Sequence, residues 1–138
     1  MATVYWITQP TLGRLGIMPR PRGNDWLSDD IGSLKHQYGA SVVVSLLTPQ
    51  EIAEFKLEQE PDVCAIHGIT FLSLPIPDLS TPTSYPDATK LIHLLKGYLN
   101  QGEVVIIHCR MGIGRSGLIA SSILVASGID PNHAMRLV

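Results

Sequence analysis

Residues 104–126 constrain this chain more than any other stretch. A short apolar run, Val104-Val105-Ile106-Ile107, reads as a buried strand, and the apolar stretch from Leu118 to Ala126 is long enough for a buried helix. Between them lies a glycine-punctuated loop that begins at Cys109 and closes at Arg115, with five residues between the two. A strand passing through such a loop into a helix makes an anion site. The loop and first-turn amides converge, and the helix dipole adds partial positive charge.

That spacing has a chemical meaning. A thiol is a poor nucleophile until it ionises, and a helix N-terminus, a ring of amides and a guanidinium all favour the thiolate. The same groups would bind a phosphate dianion. Arg115 would grip two oxygens with its planar fork, and Cys109 would lie beneath the phosphorus, in line with the leaving oxygen.

The full stretch reads His108-Cys109-Arg110-Met111-Gly112-Ile113-Gly114-Arg115-Ser116-Gly117. It resembles the active-site loop of the cysteine-dependent protein tyrosine phosphatase superfamily: His-Cys, five residues, Arg, then Ser or Thr. Met111 departs from the small residue that many members carry there, which touches the rim of the site and not its chemistry. The resemblance implies a phosphate loop formed by Arg110, Met111, Gly112, Ile113, Gly114 and Arg115. It also implies that phosphate, sulfate or vanadate would occupy that loop.

The rest of the chain supports one α/β domain over residues 1–138. Residues 4–8 read as a short edge strand. The stretch from Pro10 to Gly23 reads as loop, with room for a brief strand at residues 15–18. Arg20 and Arg22 sit near its turn, either as contacts to an acidic or phosphorylated substrate or as a solvated basic turn. Asn24 or Asp25 can cap a helix whose face is Leu27, Ile31, Leu34 and Tyr38, ended by Gly39. Residues 41–47 read as a buried parallel strand. Thr48, Pro49 and Glu51 form a capping-box start for a helix expected to reach about Glu58. Residues 61–68 are open between a loop and one helical turn.

Residues 70–74 are the next strand, and a proline-rich loop runs from Pro75 to Pro82. Thr83 or Ser84 caps a helix to about Asn100, with Ala88, Leu91, Ile92, Leu95, Tyr98 and Leu99 on its face. Asp130 and Pro131 begin a last helix, expected to be cut short at Val138. Alternating strands and helices predict a central, mostly parallel sheet flanked by helices on both faces, with ligands beyond the carboxyl ends of its strands.

Displacing an alkoxide or phenoxide from phosphorus needs a proton donor. The superfamily carries its general-acid aspartate on a loop before the cysteine, and Pro77-Asp78 resembles that element. Asp87 is the alternative, although an acid in a first helical turn has an ordinary dipole role. The resemblance implies that Cys109 attacks phosphorus, that Asp78 protonates the leaving oxygen and then activates water, and that Ser116 eases departure of the thiolate. It further implies that Arg115 binds the equatorial oxygens and that His108 orients the loop. No cofactor is expected. His36, His67, His93 and His133 show no metal-ligand spacing and read as surface residues, so no metal is expected.

The chain is short for a receptor-type domain and is similar to the compact dual-specificity branch. The stretch from Gly16 to Trp26 and residues 134–138 resemble the subgroup related to cyclin-dependent-kinase-associated phosphatase and its bacterial relatives. The expected substrate is a phosphotyrosine protein or peptide, with phosphoserine and phosphothreonine as further targets. Inositol, nucleotide or RNA 5′-phosphate esters are the alternative, but the loop interior has one base, Arg110, where polyphosphate-directed members usually place lysines. A pseudophosphatase or a rhodanese-like sulfurtransferase would not need Cys109, Arg115 and Asp78 together.

A formal net charge of −2 argues against a general nucleic-acid or membrane-surface binder. No apolar run reaches the length of a membrane span, and the N-terminus lacks a signal-peptide pattern. The expectation is a cytoplasmic monomer. Cys64 and Cys109 are the two cysteines, and a free Cys109 suits a reducing compartment.

Overall fold

Strand β5 (Val104–Cys109) forms the middle of a five-stranded sheet, flanked by β2 (Arg14–Pro19) on one side and β3 (Val42–Ser45) on the other. Beyond them lie β1 (Tyr5–Ile7) and β4 (Thr70–Ser73), in the order β1-β2-β5-β3-β4. β1 runs antiparallel to β2, and every other pairing is parallel. A computed structural model describes residues 3–7, 12–77, 85–110 and 114–128.

The three central strands, β2, β5 and β3, are buried on both faces, which is why they read as apolar runs and not as alternating ones. Side chains still alternate across it. Val105, Ile107 and Cys109 join Val42, Val44, Leu15 and Ile17 on one face. That face is covered by Ala88, Leu91, Leu95 and Leu99 of α4 (Tyr85–Asn100) and by Ile119, Ala120, Ile123 and Leu124 of α5 (Gly114–Ala126). Ile106 and Val43 point the other way. They meet Leu27, Ile31 and Leu34 of α1 (Leu27–Tyr38) and Cys64 of α3 (Glu60–Ile66). The mostly parallel sheet with helices on both faces is therefore present, and the predicted apolar faces of α1 and α4 are the ones that pack.

Three elements differ from the sequence reading. The brief strand in the glycine- and proline-rich N-terminal stretch is β2, a six-residue neighbour of β5 in register from Arg14 with Val104 to Pro19 with Cys109. Helix α2 (Pro49–Glu54) stops four residues before Glu58. The chain turns there through Lys56 at φ 56°, and Lys56 O accepts a hydrogen bond from Asn24 N. Gly23 is pressed against this turn, where a Cβ would run into the carbonyl oxygens of Phe55 and Lys56. The ambiguous stretch at 61–68 is α3, ended by Gly68 at φ 72°.

A single 3-10 turn, Asn24–Trp26, leads into α1, and neither Asn24 nor Asp25 supplies a side-chain cap. Gly39 ends α1 in the left-handed conformation, as expected. Thr8, the expected caps Thr83 and Ser84, and the helix expected from Asp130 and Pro131 lie outside the described residues. Among the described residues, no helix is long and apolar enough to cross a membrane.

Candidate active site

β5 ends at Cys109 and α5 begins at Gly114, so the turn between them opens at the carboxyl edge of the sheet. Cys109 is buried on the α4/α5 face. Arg115, Ser116 and Gly117 follow in the first turn of α5, all buried. Met111, Gly112 and Ile113 lie outside the described residues. So does Asp78, together with the rest of its loop through Ser84.

Arg115 is held from two directions. Its Nη1 and Nη2 donate to the two carboxylate oxygens of Glu51 at 2.6 and 2.9 Å, a bidentate pair. Nη1 also donates to the Ile76 carbonyl at 2.9 Å. Ile76 is itself pinned, because its N–H donates to Leu46 O at 3.1 Å beyond the end of β3. The segment that ends at Pro77 is thus anchored on Arg115.

Glu51 was legible only as a helix cap, and that role is present. The Thr48 N–H donates to Glu51 Oε1 at 3.0 Å, and Thr48 Oγ1 accepts from Glu51 N at 3.3 Å. The same carboxylate then turns its second oxygen, and part of its first, toward Arg115. The Arg115 hydrogen bonds hold the Glu51 carboxyl down at about 2, with burial opposing and the Thr48 donors assisting.

His108 points to the opposite face of the sheet from Cys109. Its Nε2 donates to Glu60 Oε2 at 2.6 Å, with both side chains buried. Glu60 opens α3 and lies forty-eight positions away in sequence, where nothing local marked it. The two carboxylates therefore brace the two ends of the loop from helices that the sequence reading left unconnected to it. Among the described residues, His108 Nδ1 and Ser116 Oγ are buried and have no hydrogen-bond partner.

Cys64 belongs to the α1/α3 face and Cys109 to the other, so the sheet separates them. Both are free thiols. Burial, reinforced by the charge of Glu60, pushes the Cys64 thiol up to about 12, which suits a packed and inert side chain. His67 meets Ser28 Oγ at 3.4 Å near the surface, and no group of three metal-ligating side chains comes together among the described residues.

Arg110 and Arg20 lie side by side at the end of the β2–β5 pair, where Arg20 N donates to Arg110 O at 3.4 Å. Arg22 is committed elsewhere. Its guanidinium and backbone N–H bind Asp30 at 2.6 to 3.2 Å, and these bonds lower the Asp30 carboxyl although burial alone would raise it.

This geometry has known counterparts. The fold is that of a solved kinase associated phosphatase whose catalytic-site cysteine is replaced by serine, with a TM-score of 0.84, 23% identity, and coverage of 96% of this chain and 79% of that one. In sequence the chain is 30% identical to mouse cyclin-dependent kinase inhibitor 3 over 110 residues, 79% of this chain and 51% of that protein. It is 28% identical to mouse laforin over 94 residues, 60% of this chain and 28% of that protein. The chain thus spans about half or less of these relatives. Residues 16–129 match the family Tc-R-P, described as "Polymorphic toxin system, DSP-PTPase phosphatase", and the chain belongs to that family.

Proposed function

We propose that this chain hydrolyses phosphate monoesters on proteins, phosphotyrosine first, through a cysteinyl-phosphate intermediate. The observation that carries the reading is Arg115. It is held at the start of α5 by Glu51 and the Ile76 carbonyl, beside buried Ser116 and six residues after the strand-end Cys109. A guanidinium fixed in advance costs little reorganisation when charge develops on phosphoryl oxygens.

In the first step the Cys109 thiolate attacks phosphorus, and the bond to the leaving oxygen breaks as Asp78 gives that oxygen a proton. In the second step Asp78 takes a proton from water, the water oxygen attacks phosphorus, and the sulfur leaves with its electron pair. Ser116 Oγ, buried among the described residues without a competing partner, is available to donate to that departing sulfur. His108 acts through orientation, since its ring is tied to Glu60 behind the sheet. Backbone amides from Arg110 to Arg115 complete the phosphate cradle.

Cys109→Ser protein is expected to bind vanadate and to turn over no aryl phosphate. Retained turnover would remove Cys109 from the mechanism. Asp78→Ala should lose far more rate on alkyl than on good aryl leaving groups, and an equal loss on both would contradict the acid role. Matched phosphotyrosine and phosphothreonine peptides, with inositol phosphates and 5′-phosphorylated RNA alongside, decide the substrate class.

A further inference from the structure

We propose that Arg20, stacked on Phe55 and flanked by Arg110, forms a second anion subsite that receives an acidic or second phosphorylated side chain next to the scissile phosphate of a peptide. This rests on the phosphatase reading above and adds the substrate feature that the same site selects.

The subsite stands where β2 and β5 end. Pro19 is in register with Cys109, so Arg20 and Arg110 are each one residue beyond it on neighbouring strands, about 5 Å apart. Both guanidinium groups use one aromatic ring. Arg20 lies 3.8 Å from the Phe55 centroid and Arg110 lies 5.2 Å from it. Phe55 ends α2, one helical turn beyond Glu51, so a single short helix holds Arg115 with one residue and this pair with another.

The three arginines near the site are not equivalent. Arg22 is saturated by Asp30. Arg110 faces Glu54 at 3.7 Å, with both side chains about half exposed, and such a pair contributes little. Arg20 donates to Pro21 O at 3.3 Å and meets no carboxylate within 4 Å among the described residues. Its flat face is spent on Phe55, which holds it in place. The N–H donors lie in the guanidinium plane, at the edge, where a carboxylate or phosphate meets them as a fork. A held guanidinium with no carboxylate partner among the described residues, beside the proposed phosphate loop, is suited to a second negative group. The neighbouring residue of an extended peptide, about 3.5 Å along per position, reaches it. The chain's net charge of −2 lacks the basic excess that an anionic membrane surface would require, which favours a peptide as the occupant.

The test compares phosphopeptides identical except for Glu, a second phosphorylated residue, or Ala beside the target position, with an inositol bisphosphate as a further arm. Wild-type protein should prefer either acidic peptide over the Ala peptide by about tenfold in kcat/KM. Arg20→Gln should bring that ratio near one, chiefly through KM, and Arg20→Lys should restore part of it. Absence of the preference in wild type, or an equal loss on all peptides in Arg20→Gln, would overturn the subsite. Arg20-dependent preference for the inositol bisphosphate over the acidic peptides would overturn the peptide assignment. If no substrate is turned over, the catalytic reading fails. The same ratios, read as peptide binding, then still decide the subsite.

Discussion

Two buried glutamates brace the residues that flank the β5–α5 turn, and they do so differently. Glu51 lies near the mouth, 8% exposed, and pairs with a guanidinium that is always charged. Glu60 lies behind the sheet, 1% exposed, and meets an imidazole. Glu51 is also part of a local capping box, whereas Glu60 owes its place to the packing of α3 against the sheet. The contrast is between a brace on Arg115 in the first turn of α5 and one on His108 in the strand that precedes it.

The largest expected effect falls on Glu51. Glu51→Ala leaves the Arg115 guanidinium without its carboxylate and removes half of the capping box. It should cost about 3 kcal/mol or more by urea unfolding at pH 7. The conservative Glu51→Gln should lower kcat/KM on an aryl phosphate by about 10²-fold through misplacement of Arg115. If Glu51→Gln kept full activity, Glu51 would be a cap and nothing more.

Glu60→Gln should cost less, about 1–3 kcal/mol, because one buried hydrogen bond changes while the fold around it stays. Its effect should appear in stability before it appears in KM. An activity loss as large as that of Glu51→Gln, at unchanged stability, would erase the distinction between the braces.

Acid titration separates the two further. The Glu51 carboxyl is held well below its ordinary 4.5, at about 2. Its contribution to stability is complete above about 4.5 and is lost as pH falls toward about 2. The wild-type protein should therefore lose stability more steeply than Glu51→Gln across that window, measured as the urea midpoint at successive pH values. Parallel curves would show that the Arg115 pairing carries no net stabilisation.

The smallest effects are local. Thr48→Ala removes the other half of the capping box and should cost about 1 kcal/mol. It should leave kcat/KM within a few-fold, because Arg115 still binds both Glu51 oxygens. Native protein treated with iodoacetamide at pH 8 should carry no label on Cys64 by mass spectrometry until it is denatured, as a thiol pushed up to about 12 requires.

Local patterns in the chain announced a large share of this molecule. The apolar periodicities of α1 and α4 marked the faces that pack, because a helix buries a stripe set by its own period. Thr48-Pro49-Gln50-Glu51 announced the start of α2, because a capping box closes within four residues. The end of α2 was less legible, since Lys56 turns left-handed where it packs against Gly23 and Asn24, more than thirty residues earlier. β2 was legible only as a brief strand at residues 15–18, among glycines and prolines that usually signal loops. It is a strand because β5 offers it a partner along its whole length.

The sequence alone determined the proposed reactive centre and the order of elements: His108, Cys109, Arg115 and Ser116 are contiguous or nearly so, and a strand, turn and helix built from neighbours need no distant information. Only the tertiary structure decided what braces them. Glu51 reaches Arg115 across sixty-four positions, Glu60 reaches His108 across forty-eight, and Arg20 comes to lie beside Arg110 through strand pairing. Those partners are chosen by which face of the sheet each residue occupies once both faces are covered, and no local pattern encodes that choice.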